Sequence, residues 1–452
     1  MGAAVGRNPA GTGDRVEVIK QKEFARRRRQ LMRMAGQDSI IVLQAAPPRI
    51  RNNDVHYAYR QDSDFLYLTG FREPNALLVM IPDEGDGKTI LFCRSRDPER
   101  EMWDGLMVGL DSAVADYGMD EAFDIGEVDT RLKEMLQDRD RIYHDLGRDP
   151  LFDQRLIGWL NEFRGKARKT FHAPEEIHAL DHMLHDMRVY KSRDELSAMR
   201  RAAKVAIEAH ENAMRGCRPG LNEADIHAGL LHTFTRHGCE PSYLPIVGGG
   251  ANACVLHYIA NRDELHDGDL LLIDAGAEYD GYASDITRTF PVNGKFSPEQ
   301  KQLYDVVLAA QAAAIEKARA GNQWQDVHDA AIRVATEGMI DLGILQNTVD
   351  EEIESGGYKH FYVHNTGHWL GLDVHDVGEY TIDGHSRELE PGMVMTVEPG
   401  IYIQATEESV ASRWRGLGIR IEDNVAITRD DPRVLTDGLA RTTDEIEALM
   451  AG

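Results

Sequence analysis

The chain has 452 residues, 42% of them hydrophobic, enough for two or three domains with full cores. Asp and Glu number 76 against 51 Lys and Arg, a formal net charge of -25, so no excess of cations is available to displace the counterions of a nucleic acid. No apolar run is long enough to span a bilayer.

Residues 1–15 are Gly- and Ala-rich, lack the apolar middle of a signal peptide and are expected to be disordered. Four scattered cysteines (Cys93, Cys217, Cys239, Cys254) form no Cys-x-x-Cys pair and read as thiols of a reducing compartment, so the expected location is cytoplasmic. Residues 17–35 are helix-like, and Arg26-Arg27-Arg28-Arg29 within them reads as a solvated face. Runs at 39–43, 64–70, 75–81 and 89–93 read as strands, with helical patterns at 129–136 and 153–163. This is a mixed α/β region without a dense group of His, Cys or acidic residues.

A long helical stretch is expected from Pro174 to about Met214. His178, His182 and His185 recur on it at helical spacing and read as a surface stripe. Ser192 followed by Glu195 is a capping-box pattern, which starts a helix at Arg193. Further helices are expected at 222–236, 297–320 and 324–342. Gly248-Gly249-Gly250 lacks the Lys-Ser/Thr of a phosphate loop and reads as a flexible connection. Residues 255–258 read as a short strand containing His257.

Two apolar runs, 269–276 and 283–290, each carry one aspartate, Asp274 and Asp285. Tyr279-Asp280-Gly281 between them makes a β-hairpin. A loop at Tyr279-Asp280 places the aspartates directly opposite each other; a loop at Asp280-Gly281 makes them diagonal neighbours. Either register keeps both on one face, because side chains alternate with a period of two. Two bare carboxylates there repel and need a positive partner, an arginine or a metal. Downstream, one dense stretch carries His364, His368 and His375; a strand ends at Glu398-Pro399-Gly400; and Arg420 and Glu422 alternate with Ile419 and Ile421 on another strand. The charged pair thus shares one face, which is costly unless compensated. The simplest compensation is one site built from Asp274, Asp285, His368, Glu398 and Glu422. Oxygen-rich ligands with one imidazole suit manganese, cobalt or zinc, and four carboxylates balance two divalent cations.

These stretches resemble the metal-dependent peptidases of the pita-bread fold, over residues 188–428. Residues 24–82, with Arg60-Gln61-Asp62-Ser63-Asp64-Phe65-Leu66-Tyr67-Leu68-Thr69-Gly70-Phe71, further resemble the N-terminal domain of the aminopeptidase P branch. The resemblance implies an N-terminal mixed α/β domain (16–175) followed by a C-terminal pita-bread metallopeptidase domain (176–452). It implies two divalent metal ions, Mn2+ first with Co2+ or Zn2+ as alternatives, held by Asp274, Asp285, His368, Glu398 and Glu422, with Asp285 and Glu422 bridging. His257, His364 and His375 match its catalytic and substrate-binding histidines. Arg420 matches an arginine supporting the ligand aspartate, and Trp103 an N-domain tryptophan that can reach an active site. Asn365 departs from the glycine usual after the first histidine, but the His-x-x-x-His spacing is kept.

The implied activity is hydrolysis, by a metal-bridging hydroxide, of the bond between an N-terminal residue and a following proline. The expected partners are peptides with proline in the second position and further copies of the chain in a dimer or tetramer, with neither nucleic acid nor membrane. The alternatives are a prolidase restricted to Xaa-Pro dipeptides and a non-enzymatic peptide-binding scaffold.

Overall fold

The structure, a computed structural model, describes residues 19–83, 85–165 and 172–452. The segment 1–15 expected to be disordered lies outside the described residues. The chain folds as two compact units that part between Met187 and Arg188.

In the first unit, six strands form one mixed sheet in the order Glu121–Asp124, Lys88–Cys93, Leu77–Ile81, Ser39–Gln44, Arg141–Tyr143, Glu176–His178. The central pairs are antiparallel and the outer ones parallel. Ile40, Val42, Val79, Ile90 and Phe92 meet Leu156, Trp159, Leu160 and Phe163 of the helix Pro150–Gly165 in one buried core. Each such side chain contributes about 1.5–3 kcal/mol by leaving water.

Three expectations change here. Residues 64–70 are not a strand but the helix Ser63–Thr69. Asp62 caps it by accepting from Phe65 N at 2.9 Å, and Gly70 ends it in the left-handed region. A short, wholly buried apolar run has no periodicity to separate the two structures, and the cap decides. Arg27 and Arg28 are buried rather than solvated. Their guanidiniums donate to the carbonyls of Tyr67 and Leu68, each at 2.9 Å, where that helix leaves carbonyls unpaired. Finally, the stretch from Pro174 breaks into the strand Glu176–His178, which pairs with Arg141–Tyr143, and the helices Asp181–Val189 and Arg193–Gly216. His178 is therefore on a different element from His182 and His185. Asp64, Asp181 and His185 lie close enough to share a cation, but Arg148 Nη2 already bonds both carboxylates, at 3.2 and 2.7 Å.

In the second unit, Ser192 and Glu195 form the expected capping box. The helices Glu223–Arg236, Pro298–Lys317 and Trp324–Asp341 follow, the first two also with capping boxes. They surround short antiparallel sheets, among them Ile246–Gly249, Leu270–Asp274 and Thr287–Pro291, then Val394–Val397 with Asp423–Ala426, and Gly400–Ile403 with Leu417–Arg420. A core of Val327, Ala331, Trp369, Met395, Val397, Val425 and Ile427 fixes helix Trp324–Asp341 against the strands that end at the site. The glycine run is less free than its composition suggests: Gly248 and Gly249 belong to a strand, and a Cβ on Gly249 would lie 2.6 Å from the Leu265 side chain.

Candidate metal centre

The hairpin supplies the first wall. Asp274 pairs with Thr287, and at the tip Tyr279 pairs with Tyr282. The loop is therefore Asp280-Gly281, with φ of 55° and 87°, the type I′ geometry that suits a right-twisted hairpin. The diagonal register holds on both sides of Asp285. The expected strand 283–290 is broken, however: Asp285 lies between Tyr282–Ala283 and Thr287–Pro291, where the close approach to Gly276 interrupts the ladder. The close approach falls at Gly276, where a Cβ would stand 1.7 Å from the Ser284 carbonyl oxygen.

Three further segments complete the wall. Glu398 follows the strand Val394–Val397, and its backbone N donates to the Thr366 carbonyl at 2.8 Å. That bond ties it to the segment carrying His368. Gly367 permits the approach, since a Cβ there would lie 2.0 Å from the Thr396 carbonyl oxygen. Glu422 follows Leu417–Arg420 and accepts from Thr287 Oγ1 at 2.7 Å. All five expected ligands, together with His257, His364, His375 and Arg420, line one cavity of about 570 Å3. Trp103 belongs to the first unit, on the helix Pro98–Asp104, and is 86% exposed. His257 is not on a strand: a 3-10 turn covers Gly250–Cys254, and residues 256–260 form no regular element.

Arg420 is the arginine built into this face. Nη2 donates to Asp274 Oδ2 at 2.6 Å, Nε to Thr287 Oγ1 at 3.0 Å, and Nη1 to the Tyr402 hydroxyl at 2.8 Å. Tyr402 in turn donates to His364 Nε2 at 2.8 Å, while His364 Nδ1 donates to the Asn365 carbonyl at 2.7 Å. Burial and the nearby Arg420 charge press His364 down to about 4, so it is a neutral ring.

One arginine does not balance four carboxylates. Burial, with Arg420 opposing and Asp285 adding, raises Asp274. Burial and the Asp285 charge, against His368, push Glu398 up to about 7. Burial and the charges of Asp285, Glu398 and Asp274 raise Glu422 well above the usual range.

His368 makes the need for a cation specific. Its Nδ1 lies 2.9 Å from the Trp369 carbonyl, so that nitrogen carries the proton and donates. With Nδ1 so engaged, Nε2 is the ring nitrogen left for a metal. Burial opposes charge there, but the hydrogen bond to Asp285 and the charges of Glu398 and Asp285 raise His368 to about 9, so without a cation Nε2 holds a second proton. Nε2 points at Asp285 Oδ2 and Glu398 Oε1, each 3.4 Å away. A bare lone pair there would repel both oxygens, so the nitrogen carries either a proton or a metal, and a divalent cation would take the place of the proton. Asp285, His368 and Glu422 also offer one donor atom each within 4.8 Å of one another. The residues fit divalent metal.

Sequence reasoning missed Tyr243, whose hydroxyl hydrogen-bonds Oδ1 of both Asp274 and Asp285. It lies outside any regular element, and no pattern points to it. It also missed Asn424, which accepts from Asp285 N at 3.1 Å and donates to its carbonyl at 2.5 Å. Alternation could have found Asn424, two residues on from Glu422 as Glu422 is from Arg420.

Comparison with known proteins places these features in a lineage. The family model for metallopeptidase family M24 matches residues 197–429, and that for the aminopeptidase P N-terminal domain matches residues 24–143. The chain is 44% identical to the Xaa-Pro aminopeptidase of Escherichia coli K12, over 96% of this chain and 98% of the relative. It superposes on aminopeptidase PepP of Pseudomonas aeruginosa with a TM-score of 0.94 and 54% identity, covering 96% of this chain and 98% of that one. Zinc-substituted Escherichia coli aminopeptidase P in complex with product gives 0.93 and 43%, over 96% and 98%.

Proposed function

The chain belongs to metallopeptidase family M24, with an aminopeptidase P N-terminal domain, and we propose that it acts as a dinuclear-metal Xaa-Pro aminopeptidase. One observation carries the proposal: His368 turns Nε2 towards Asp285 and Glu398 on a face of four carboxylates. Asp274, Asp285, His368, Glu398 and Glu422 would hold the metals. Asp285, His368 and Glu422 each bring a donor atom within 4.8 Å of the others, which supports Asp285 and Glu422 as ligands that two ions would share. Divalent cations there, manganese first with cobalt and zinc as alternatives, supply a water acidified towards neutrality and positive charge for a carbonyl oxygen.

The chain's own groups do the rest. Glu398 carries a proton to the leaving proline nitrogen. His375, whose ring packs edge-on to His368 at 4.4 Å, and His257 across the cavity donate to the oxygen that gains charge. His364 stands on the proline side, fixed through Tyr402. Leu244, Ile246, Leu256, Ile259 and Val374 give the cavity an apolar surface that suits a pyrrolidine ring. A free, neutral amino terminus would bind a cation of the centre, which would restrict cleavage to the first residue.

Exposure of Trp103 beside Met102 (84%) supports its use as a substrate contact or at a contact between copies of a homo-oligomer. The four unpaired cysteines support a cytoplasmic setting, and among the described residues no helix is long and apolar enough to cross a membrane. The test is to load the protein with manganese and supply an Xaa-Pro-Yaa tripeptide beside an Xaa-Pro dipeptide. Release of Xaa from the tripeptide is expected. No release by protein that carries its metal contradicts the assignment.

A further inference from the structure

Glu223 is fully buried and has no part in the reaction described above. It opens the helix Glu223–Arg236 and is 0% exposed. Its Oε1 accepts from Gly249 N at 2.8 Å and Asn252 Nδ2 at 3.0 Å; its Oε2 accepts from the Tyr258 hydroxyl at 2.8 Å and Asp263 N at 2.9 Å. Two donors on each oxygen meet the hydrogen-bonding capacity of a carboxylate, and all four are neutral. Such bonds to an ionised acceptor are stronger than neutral ones.

The four donors span residues 249–263. That stretch contains Leu256, His257 and Ile259, which line the metal-centre cavity. Residues 256–260 lie in neither helix nor strand, so no ladder holds them. Tyr258, between His257 and Ile259, does not line the cavity and reaches Glu223 instead. The segment thus shows one set of side chains to the site and one hydroxyl to an anchored carboxylate. The anchor is firm at both ends: Gly249 ends the strand Ile246–Gly249, and Glu223 N donates to the Asp263 carbonyl at 2.9 Å.

We propose that Glu223 and Tyr258 form a latch that sets His257 against the cavity, making both positioning residues for the hydrolysis. The inference rests on the Xaa-Pro aminopeptidase reading and on the role given there to His257. Tyr258→Phe removes one hydroxyl and leaves Glu223 three donors, so the fold and the metal ligands stay in place. The Phe ring keeps the packing on Ile246, Ala253, Cys254, Leu272 and Tyr402, so His257 is displaced rather than freed. Turnover falls by about tenfold, within the roughly hundredfold that a displacement of about 1 Å can cost.

A double-mutant cycle on the metal-loaded enzyme tests this with an Xaa-Pro-Yaa tripeptide. Tyr258→Phe is expected to lower kcat about tenfold with a smaller change in KM, and to add nothing in a His257→Ala background. Equal losses in both backgrounds mean a structural role and overturn the latch, as does unchanged kcat in the single variant. If the parent protein cleaves no Xaa-Pro substrate, the activity reading fails separately. Hydrogen exchange across 249–263 then tests the latch alone: Glu223→Gln speeds it if the latch exists, and unchanged exchange overturns it.

Discussion

Two buried acidic clusters in the peptidase unit are answered in opposite ways. Asp376 receives Arg188 at 2.6 Å and Lys191 at 2.9 Å. Burial alone would raise its pKa, but those two cations win and hold it below the usual carboxylate range. Asp274, Glu398 and Glu422, with Asp285 among them, face Arg420, and burial and mutual repulsion raise all three. The first cluster is complete within the chain and serves stability. The second is complete only with cations from outside, which makes it a site.

That contrast can be broken most sharply at Glu422. Glu422→Gln takes a charge and a ligand from the second cluster, and kcat is expected to fall on the order of a thousandfold or more, with less metal bound. Activity near that of the parent would remove Glu422 from the centre. At the first cluster, Asp376→Ala strands the buried Lys191 and leaves Arg188 with Asp373 (2.7 Å), and should cost about 3–5 kcal/mol in urea unfolding. A cost near that of a surface change would mean that the ions are solvated.

Metal should stabilise only the second cluster. Holding the cation at about a hundred times its Kd adds about 2.7 kcal/mol, read as a rise in Tm that a chelator reverses. A Glu422→Gln protein should show much less of it.

The pH dependence of the metal-free protein separates the clusters by sign. Glu398 has a folded pKa of about 7 against an ordinary 4.5, so the folded state binds the extra proton. Its stabilising contribution is full below 4.5 and is lost as pH rises through about 7. Asp376 lies below its ordinary 3.8, so its contribution is full above 3.8 and is lost as pH falls through the folded value. Tm against pH in chelator should decline towards alkaline pH and again at the acid end. Metal should remove the first decline, and Asp376→Asn should blunt the second. The smallest effect is expected from Tyr402→Phe, which cuts the path from Arg420 to His364: kcat/KM lower by roughly tenfold with metal retained.

Strand parity was enough to bring Asp274 and Asp285 together, and alternation to put Glu422 beside Arg420, because both are properties of a few consecutive residues. The hairpin register needed the positive φ at Asp280 and Gly281, which the sequence left as one of two choices. What stayed hidden depends on partners far along the chain. Tyr243 reaches Asp274 and Asp285 across 31 and 42 residues from an irregular stretch. Arg188 and Asp376 are 188 apart. Arg27 and Arg28 looked like a solvated run because nothing local reveals the helix end, 40 residues on, that they cap. The run 64–70 misled for the opposite reason: its apolar content was plain, but the cap at Asp62 and the stop at Gly70 decided between strand and helix.

The proposed centre completes its four-carboxylate face with two divalent cations. Metal content by mass spectrometry after manganese loading, on the same sample assayed with the tripeptide, tests it most directly. About two metals per chain with release of the first residue are expected, and fewer than two in Glu422→Gln. A fully active parent protein carrying less than about one metal per chain would contradict it.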